Sequence, residues 1–166
     1  MPIQYTVNSN APLQSWDIFC HKYNSLMEDA TKYQESVMAI KQIARMNKWS
    51  KQQTLEAIEN IQQYVILITN HLQKITFAGK GFEEMTGYTL KEAMGRNPNF
   101  LQGDTTNKTK TNSVKAQLGH HENIEIILEN YRKNGDIYLC KIIIKPVFNI
   151  NQKLVNFIAY EQELAA

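Results

Sequence analysis

Residues 95–103 read Gly-Arg-Asn-Pro-Asn-Phe-Leu-Gln-Gly, and this stretch constrains the local structure more than any other in the chain. Pro98 has no backbone N–H and a fixed φ, so it fits the first turn of a short helix at residues 98–101. Apolar spacing predicts two further helices, at residues 90–94 before the stretch and 105–118 after it. The stretch therefore lies within a run of short helices.

β-Strands are predicted on both sides of these helices. Runs rich in β-branched and aromatic residues, bounded by turn residues, are typical of strands. Asn134-Gly135 is a strong hairpin turn. The predicted strands cover residues 65–69, 75–78, 123–132, 137–148 and 154–162. This order predicts an α+β architecture, a five-stranded antiparallel sheet with short helices on one face.

An apolar stripe near the N-terminus predicts a long helix. Asn10 and Pro12 are suitable for its first turn. From Trp16 to Ala44 the apolar residues recur at an average spacing of about 3.5, as in helices that pair with one another. The stripe is wide enough either to pack on its own domain or to pair with a partner chain, and both readings stay open. The predicted dimer surface comprises Trp16, Tyr23, Met27, Tyr33, Val37 and Ile40.

A second helix is predicted directly after the first. Ser50 and Gln53 have the spacing of a capping box, which marks a helix N-terminus. This helix reaches about Gln62, and from Tyr64 onward the pattern changes from helical to strand-like. We therefore divide the chain into an N-terminal helical extension for dimerisation, residues 1–60, and a folded domain, residues 61–166.

Composition excludes several classes of protein. The formal net charge of +2 gives no electrostatic case for nucleic-acid binding. The longest apolar run, residues 64–68, is too short to span a bilayer, and no signal peptide pattern precedes it. The two cysteines, Cys20 and Cys140, lack the spacing of a metal site or a disulfide framework. These features predict a cytoplasmic protein with no metal and no membrane partner.

Four motifs in order resemble the PAS family and, within it, the LOV-like branch. They lie at residues 82–88, 95–97, 100–103 and 130–135. The resemblance covers about two-thirds of the chain and implies a PAS fold with a sensory or regulatory role. In the LOV branch a cysteine follows the Arg-Asn pair, and its sulfur attacks a bound flavin. Pro98 occupies that position here, which implies that no such adduct forms.

The resemblance also identifies candidate pocket residues. Asn97, Gln102 and Asn130 match polar contacts to the ligand in the LOV branch. Asn99 replaces an arginine that binds the flavin phosphate, and an amide lacks the charge for that contact. Two further candidates depart from the pattern and face the predicted pocket: Cys140 replaces a second amide, and Glu161 replaces a glutamine.

Other family features give two more expectations. Members of the family often pair a helix carboxylate with a lysine of the hairpin, which implies an ion pair between Glu84 and Lys133. Some PAS sensors bind haem through a histidine on the long helix. Here His120 and His121 follow the helix-ending Gly119, so we expect them on an exposed turn, where they would not ligate haem.

The sequence thus predicts a stand-alone PAS module for signal transduction, without LOV photochemistry, catalytic residues or a bound cofactor. We expect it to act as a homodimer and to dock on a separate signalling protein. The alternative is a PAS domain that senses a small molecule, with flavin or haem among the candidates. In that case Asn97, Gln102, Asn130, Cys140 and Glu161 would line the pocket.

Overall fold

The computed structural model of the chain describes residues 15–165, with side chains from residue 18 onward. The predicted helix start at Asn10 and Pro12 lies outside the described residues. The helices are α1 Ser15–Asn47, α2 Lys51–Glu59, α3 Phe82–Thr86, α4 Leu90–Ala93, a 3₁₀ helix Pro98–Leu101, and α5 Lys108–Gly119. The strands are β1 Val65–Asn70, β2 Ile75–Ala78, β3 Ile124–Tyr131, β4 Ile137–Phe148 and β5 Leu154–Glu163.

The chain divides into two compact units within α1. The first ends at Lys32, and its described part is the N-terminal portion of this helix. The second begins at Tyr33 and contains the remainder of α1 and every other element.

The five strands form one sheet in the order β2-β1-β5-β4-β3. Every neighbouring pair is antiparallel. The hairpin between β3 and β4 pairs Asn130 with Tyr138, and β5 lies in the middle of the sheet, where it pairs Glu161 with both Val65 and Ile142. The predicted α+β architecture with a five-stranded antiparallel sheet is confirmed.

Local capping sets the helix boundaries. The predicted capping box of α2 is present, because Ser50 Oγ accepts from the Gln53 N–H at 3.1 Å and Gln53 Oε1 accepts from the Ser50 N–H at 2.7 Å. α5 starts three residues later than predicted. Asn107 caps it by accepting from the Lys110 N–H, while the Thr106 hydroxyl donates to the Glu129 carbonyl of β3.

One face of the sheet is covered by the second unit's part of α1 together with α2. Ile40 is fully buried there, and it belongs to a core cluster with Ile66, Ile68 and Tyr160 of the sheet. Trp49, just after α1, donates from Nε1 to Asn156 Oδ1 at 2.9 Å. The N-terminal extension therefore contributes to the domain core, as one of the two readings of the stripe predicted.

The short helices cover the opposite face. Successive residues of a strand point to opposite sides of a sheet. Ile66 and Ile68 therefore face the α1 side, whereas Leu67 lies between them and packs in a separate cluster with Phe82 and Leu101. The sheet is thus sandwiched between two helical layers, and the second layer encloses the candidate site.

Candidate functional site

A cavity lies between the sheet and the second helical layer. Its sheet wall includes Leu67, Ile142 and Ala159, and Leu101 and Val114 line its helical side. The centres of water molecules can occupy about 80 Å³ inside it, whereas one water needs only ~10–15 Å³ measured in this way. The cavity therefore has room for a small organic molecule.

Neutral amides form a hydrogen-bonded network at one end of the cavity. Asn97 Nδ2 donates to Gln73 Oε1 at 3.3 Å, and Gln102 Nε2 donates to Asn99 Oδ1 at 3.2 Å. The two pairs are joined because Asn97 Oδ1 accepts from the Asn99 N–H at 3.0 Å, which also caps the 3₁₀ helix. This end can donate and accept hydrogen bonds but carries no charge.

Glu161 is the ionisable group of the cavity wall. It is 3% exposed, and its Oε2 has no hydrogen-bond partner among the described residues. Burial raises the pKa of this carboxyl from 4.5 to about 7, because a carboxylate is poorly solvated there. No arginine, lysine or histidine is among the residues that line the cavity within the described chain.

Cys140 is fully buried on β4 but does not line the cavity. It packs in a neighbouring cluster with Met85, Leu128 and Tyr138. Burial raises the pKa of its thiol, and the nearby Glu161 raises it further. The cavity therefore brings together four of the five candidate pocket residues, Asn97, Gln102, Asn130 and Glu161.

Comparison with known proteins assigns the fold family. A family model described as PAS domain matches residues 63–164. The chain belongs to the PAS domain family. The blue-light photoreceptor of Listeria innocua is 37% identical over 98 residues, which are 57% of this chain and 39% of that protein. The blue-light-activated histidine kinase of Brucella canis is 36% identical over 102 residues, which are 60% of this chain and 21% of that protein.

Solved structures extend the similarity. One, from work on a flavin analogue and the light-oxygen-voltage domain mechanism, has a TM-score of 0.62 and 28% identity, and the match covers 66% of this chain and 85% of that one. The LOV domain of the Erythrobacter litoralis EL346 histidine kinase shares the fold, with a TM-score of 0.59 and 23% identity. That match covers 63% of this chain and 98% of the LOV domain. The chain is thus a PAS sensory domain related to blue-light photoreceptors, and it spans about two fifths or less of the curated relatives described above.

The hairpin lysine of the PAS domain has a carboxylate partner that the sequence did not indicate. Lys133 Nζ lies 2.6 Å from Glu92 Oε1, and the hydrogen bond with Lys133 is the main reason that the pKa of Glu92 falls to about 2. The Lys133 N–H also donates to the Thr86 carbonyl at 2.9 Å, which holds the hairpin against α3. A pair between Lys133 and Glu84 stays a prediction.

The proposed dimer residues differ in exposure. Val37 and Ile40 are buried in the core of the second unit, and Tyr33 is partly buried against it. These three side chains are engaged by their own domain. Tyr23 and Met27 are about half exposed, at 53% and 51%. The side chain of Trp16 lies outside the described residues.

The histidines of the PAS domain do not line the cavity. His120 caps the C-terminus of α5, and His121 lies just after it. The ring centroids of His121 and Phe148 are 5.8 Å apart, in an edge-to-face arrangement. Within residues 18–165 no group of three or more histidine, cysteine or acidic side chains is placed to hold a metal ion. No described helix combines the length and apolarity needed to cross a membrane.

Proposed function

We propose that this PAS domain senses a small molecule in the cavity and signals without a light-driven flavin adduct. The observation that carries this proposal is the cavity itself, which combines open space, apolar walls and a buried carboxyl oxygen without a partner. Concave apolar sites with a few placed polar groups are typical of ligand-binding sites.

Two positions support the absence of adduct chemistry: the place of the LOV cysteine, and the cysteine that this domain has on β4. Pro98 lines the cavity where the LOV branch has its cysteine, and proline has no nucleophile. Cys140 lies outside the cavity lining, so its sulfur does not face the ligand space.

The cavity residues do not fit flavin mononucleotide. A phosphate is normally bound by arginine, lysine or a set of backbone N–H groups, and none of the described residues that line the cavity has a cationic side chain. Asn99 replaces the family's arginine, and Glu161 faces the ligand space with a carboxyl group. We therefore do not assign flavin as the ligand.

A regulatory role fits this cavity better than a catalytic one. General acid–base and nucleophilic catalysis use a reactive side chain held close to an activating partner. Glu161 is the single ionisable residue of the described lining, and its Oε2 has no partner. We propose that ligand occupancy alters the interaction of this domain with another signalling protein.

Ligand binding can be tested by amide NMR spectra recorded with a panel of phosphate-free heterocycles and with flavin mononucleotide. We expect a heterocycle to shift the amide signals of cavity residues such as Asn130 and Glu161. Ala159→Phe places a larger side chain in the cavity at its sheet wall and should abolish these shifts. The rest of the spectrum should remain that of a folded protein. The proposal fails if no probe gives shifts that depend on residue 159.

Homodimerisation through the N-terminal portion of α1 is a second proposal. Tyr23, Leu26 and Met27 expose 51–59% of their surface, and an exposed apolar stripe is typical of an interaction surface. A second copy of the chain is the proposed occupant, because a stripe with a spacing of about 3.5 can pair with its own copy.

Light scattering at micromolar concentration tests the dimer. The native chain should have the mass of a dimer, and Tyr23→Glu combined with Met27→Glu should convert it to a monomer. Glu substitutions at the exposed, polar Lys22 and Lys41 are the matched control and should leave the mass unchanged. A monomeric native chain contradicts the proposal.

A further inference from the structure

Oε2 of the buried Glu161 carboxyl lacks a hydrogen-bond donor from the described part of the chain. Its Oε2 has no partner among the described residues, although the side chain is buried and lines the cavity. Buried polar groups are nearly always hydrogen-bonded, and a buried carboxylate without a donor is costly. Two events relieve this cost, uptake of a proton or arrival of a hydrogen-bond donor in the cavity.

The rest of the cavity lining restricts the charge of the ligand. No described lining residue is cationic, and the amide network at the Asn97 end is neutral. Thr69 is the second lining residue with a buried, unpartnered oxygen, its Oγ1. Thr69 lies four residues along β1 from Val65, and Val65 is the register partner of Glu161. Four residues of a strand span ~13 Å, so Thr69 is remote from the Glu161 carboxyl. An anionic ligand would therefore meet Glu161 without any compensating cation.

We propose that the ligand is a neutral or cationic nitrogen heterocycle whose amidine-like edge, a ring N–H beside an exocyclic NH₂ group, donates to the Glu161 carboxylate. Pterins and 2-aminopyrimidines belong to this class. This inference rests on the proposed function, since it specifies what the cavity binds.

The geometry of a carboxylate favours such an edge. Its two oxygens can accept two parallel N–H bonds, and charge-assisted bidentate pairs are stronger than neutral hydrogen bonds. Apolar side chains such as Leu67, Leu101 and Ile142 line the space beside Glu161 and suit the faces of a planar ring. A pyrimidinedione edge, as in flavins, has a single ring N–H between two carbonyl oxygens, so a bidentate contact would set one carbonyl oxygen against a carboxylate oxygen, which disfavours it.

Pterin and lumazine are matched probes for this inference. They share the bicyclic ring, but lumazine has a carbonyl where pterin has the exocyclic amino group. Calorimetric titration at about pH 7.5, where a carboxyl with a pKa of about 7 is mostly ionised, should show pterin binding at least tenfold tighter than lumazine.

Glu161→Gln provides the second arm, because glutamine keeps the shape but both donates and accepts. We expect the variant to lose at least tenfold in pterin affinity and to bind lumazine at least as well as pterin. Equal affinities in the native chain, or a pterin preference that survives in Glu161→Gln, would overturn the inference.

Ala159→Phe separates this inference from the proposed function. If panel probes bind in a manner that depends on residue 159 but show no preference for the amino edge, only the inference is overturned. If no probe depends on residue 159, the proposed function fails as well. Amide spectra of both variants establish that they are folded.

Discussion

Glu161→Gln should remove a fall in stability that the native domain shows as the pH rises from 4.5 to 8. The pKa of Glu161 is raised by burial from 4.5 to about 7 in the folded state. Below pH 4.5 both states keep the proton, and the carboxyl adds no pH dependence. Between pH 4.5 and 7 the unfolded chain releases its proton while the folded chain retains it, so the unfolded state is favoured progressively.

The expected size of this effect is about 3 kcal/mol. A tenfold change in proton affinity corresponds to about 1.4 kcal/mol, and the pKa of Glu161 rises from 4.5 to about 7. Above pH 7 the penalty is complete and the curve flattens. Urea unfolding of the native chain and of Glu161→Gln across this pH range measures the difference between the two curves.

Glu59→Gln is the matched control, because it removes an exposed carboxyl at the end of α2. Its curve should run parallel to that of the native chain. Parallel curves for Glu161→Gln and the native chain would show that the carboxyl is solvated or hydrogen-bonded in solution, and the cavity geometry described above would then be wrong at this residue.

Ile40→Ala should lower the free energy of unfolding by about 2–5 kcal/mol. Ile40 is fully buried between α1 and the sheet, in the cluster with Ile66, Ile68 and Tyr160. Truncation removes buried apolar surface and leaves a void that close-packed neighbours fill only in part. Chemical denaturation followed by circular dichroism measures this change.

Met38→Ala is the control on the same helix. Met38 is 67% exposed, so its truncation should change the stability by no more than about 0.5 kcal/mol. Equal, small effects of the two substitutions would mean that α1 does not pack on the sheet. A large effect of Ile40→Ala together with a small effect of Met38→Ala would support the conclusion that this part of α1 belongs to the domain core.

The sheet and its short helices could be predicted from local sequence signals. β4 was predicted at residues 137–148, the bounds that it has in the structure, because turn residues flank it on both sides. The Ser50 capping box at the start of α2 is also a local signature. Each of these elements is specified by residues within a few positions of it.

The division of α1 into packed and exposed parts could not be predicted in this way. A stripe of apolar residues has the same spacing whether it contacts its own sheet or another chain. Ile40 is buried whereas Tyr23 is half exposed, and no local feature of the sequence distinguishes them. The burial of Ile40 is a tertiary property, because it depends on packing against the sheet of the same unit.

The candidate site was predictable in its residues but not in its contacts. The family resemblance identified Asn97 and Glu161, and both line the cavity. It also identified Cys140 of β4, but this side chain does not line the cavity. It packs against Met85 and Leu128. Lys133 and Glu92 are far apart in the sequence and meet only in the folded domain, so the sequence has no local signature of their contact.

We propose that the cavity of this PAS domain differs from that of a flavin photoreceptor at several positions together, and that Pro98 is one of them. The most direct test is the absorbance of Pro98→Cys with added flavin mononucleotide, before and after blue light, in protein shown to be folded by circular dichroism. We predict no reversible bleaching of the flavin band, because the lining formed by the described residues has no cation for the phosphate and presents Glu161 to the ring. Reversible bleaching would contradict this proposal, because it would show that one restored sulfur is sufficient for LOV photochemistry.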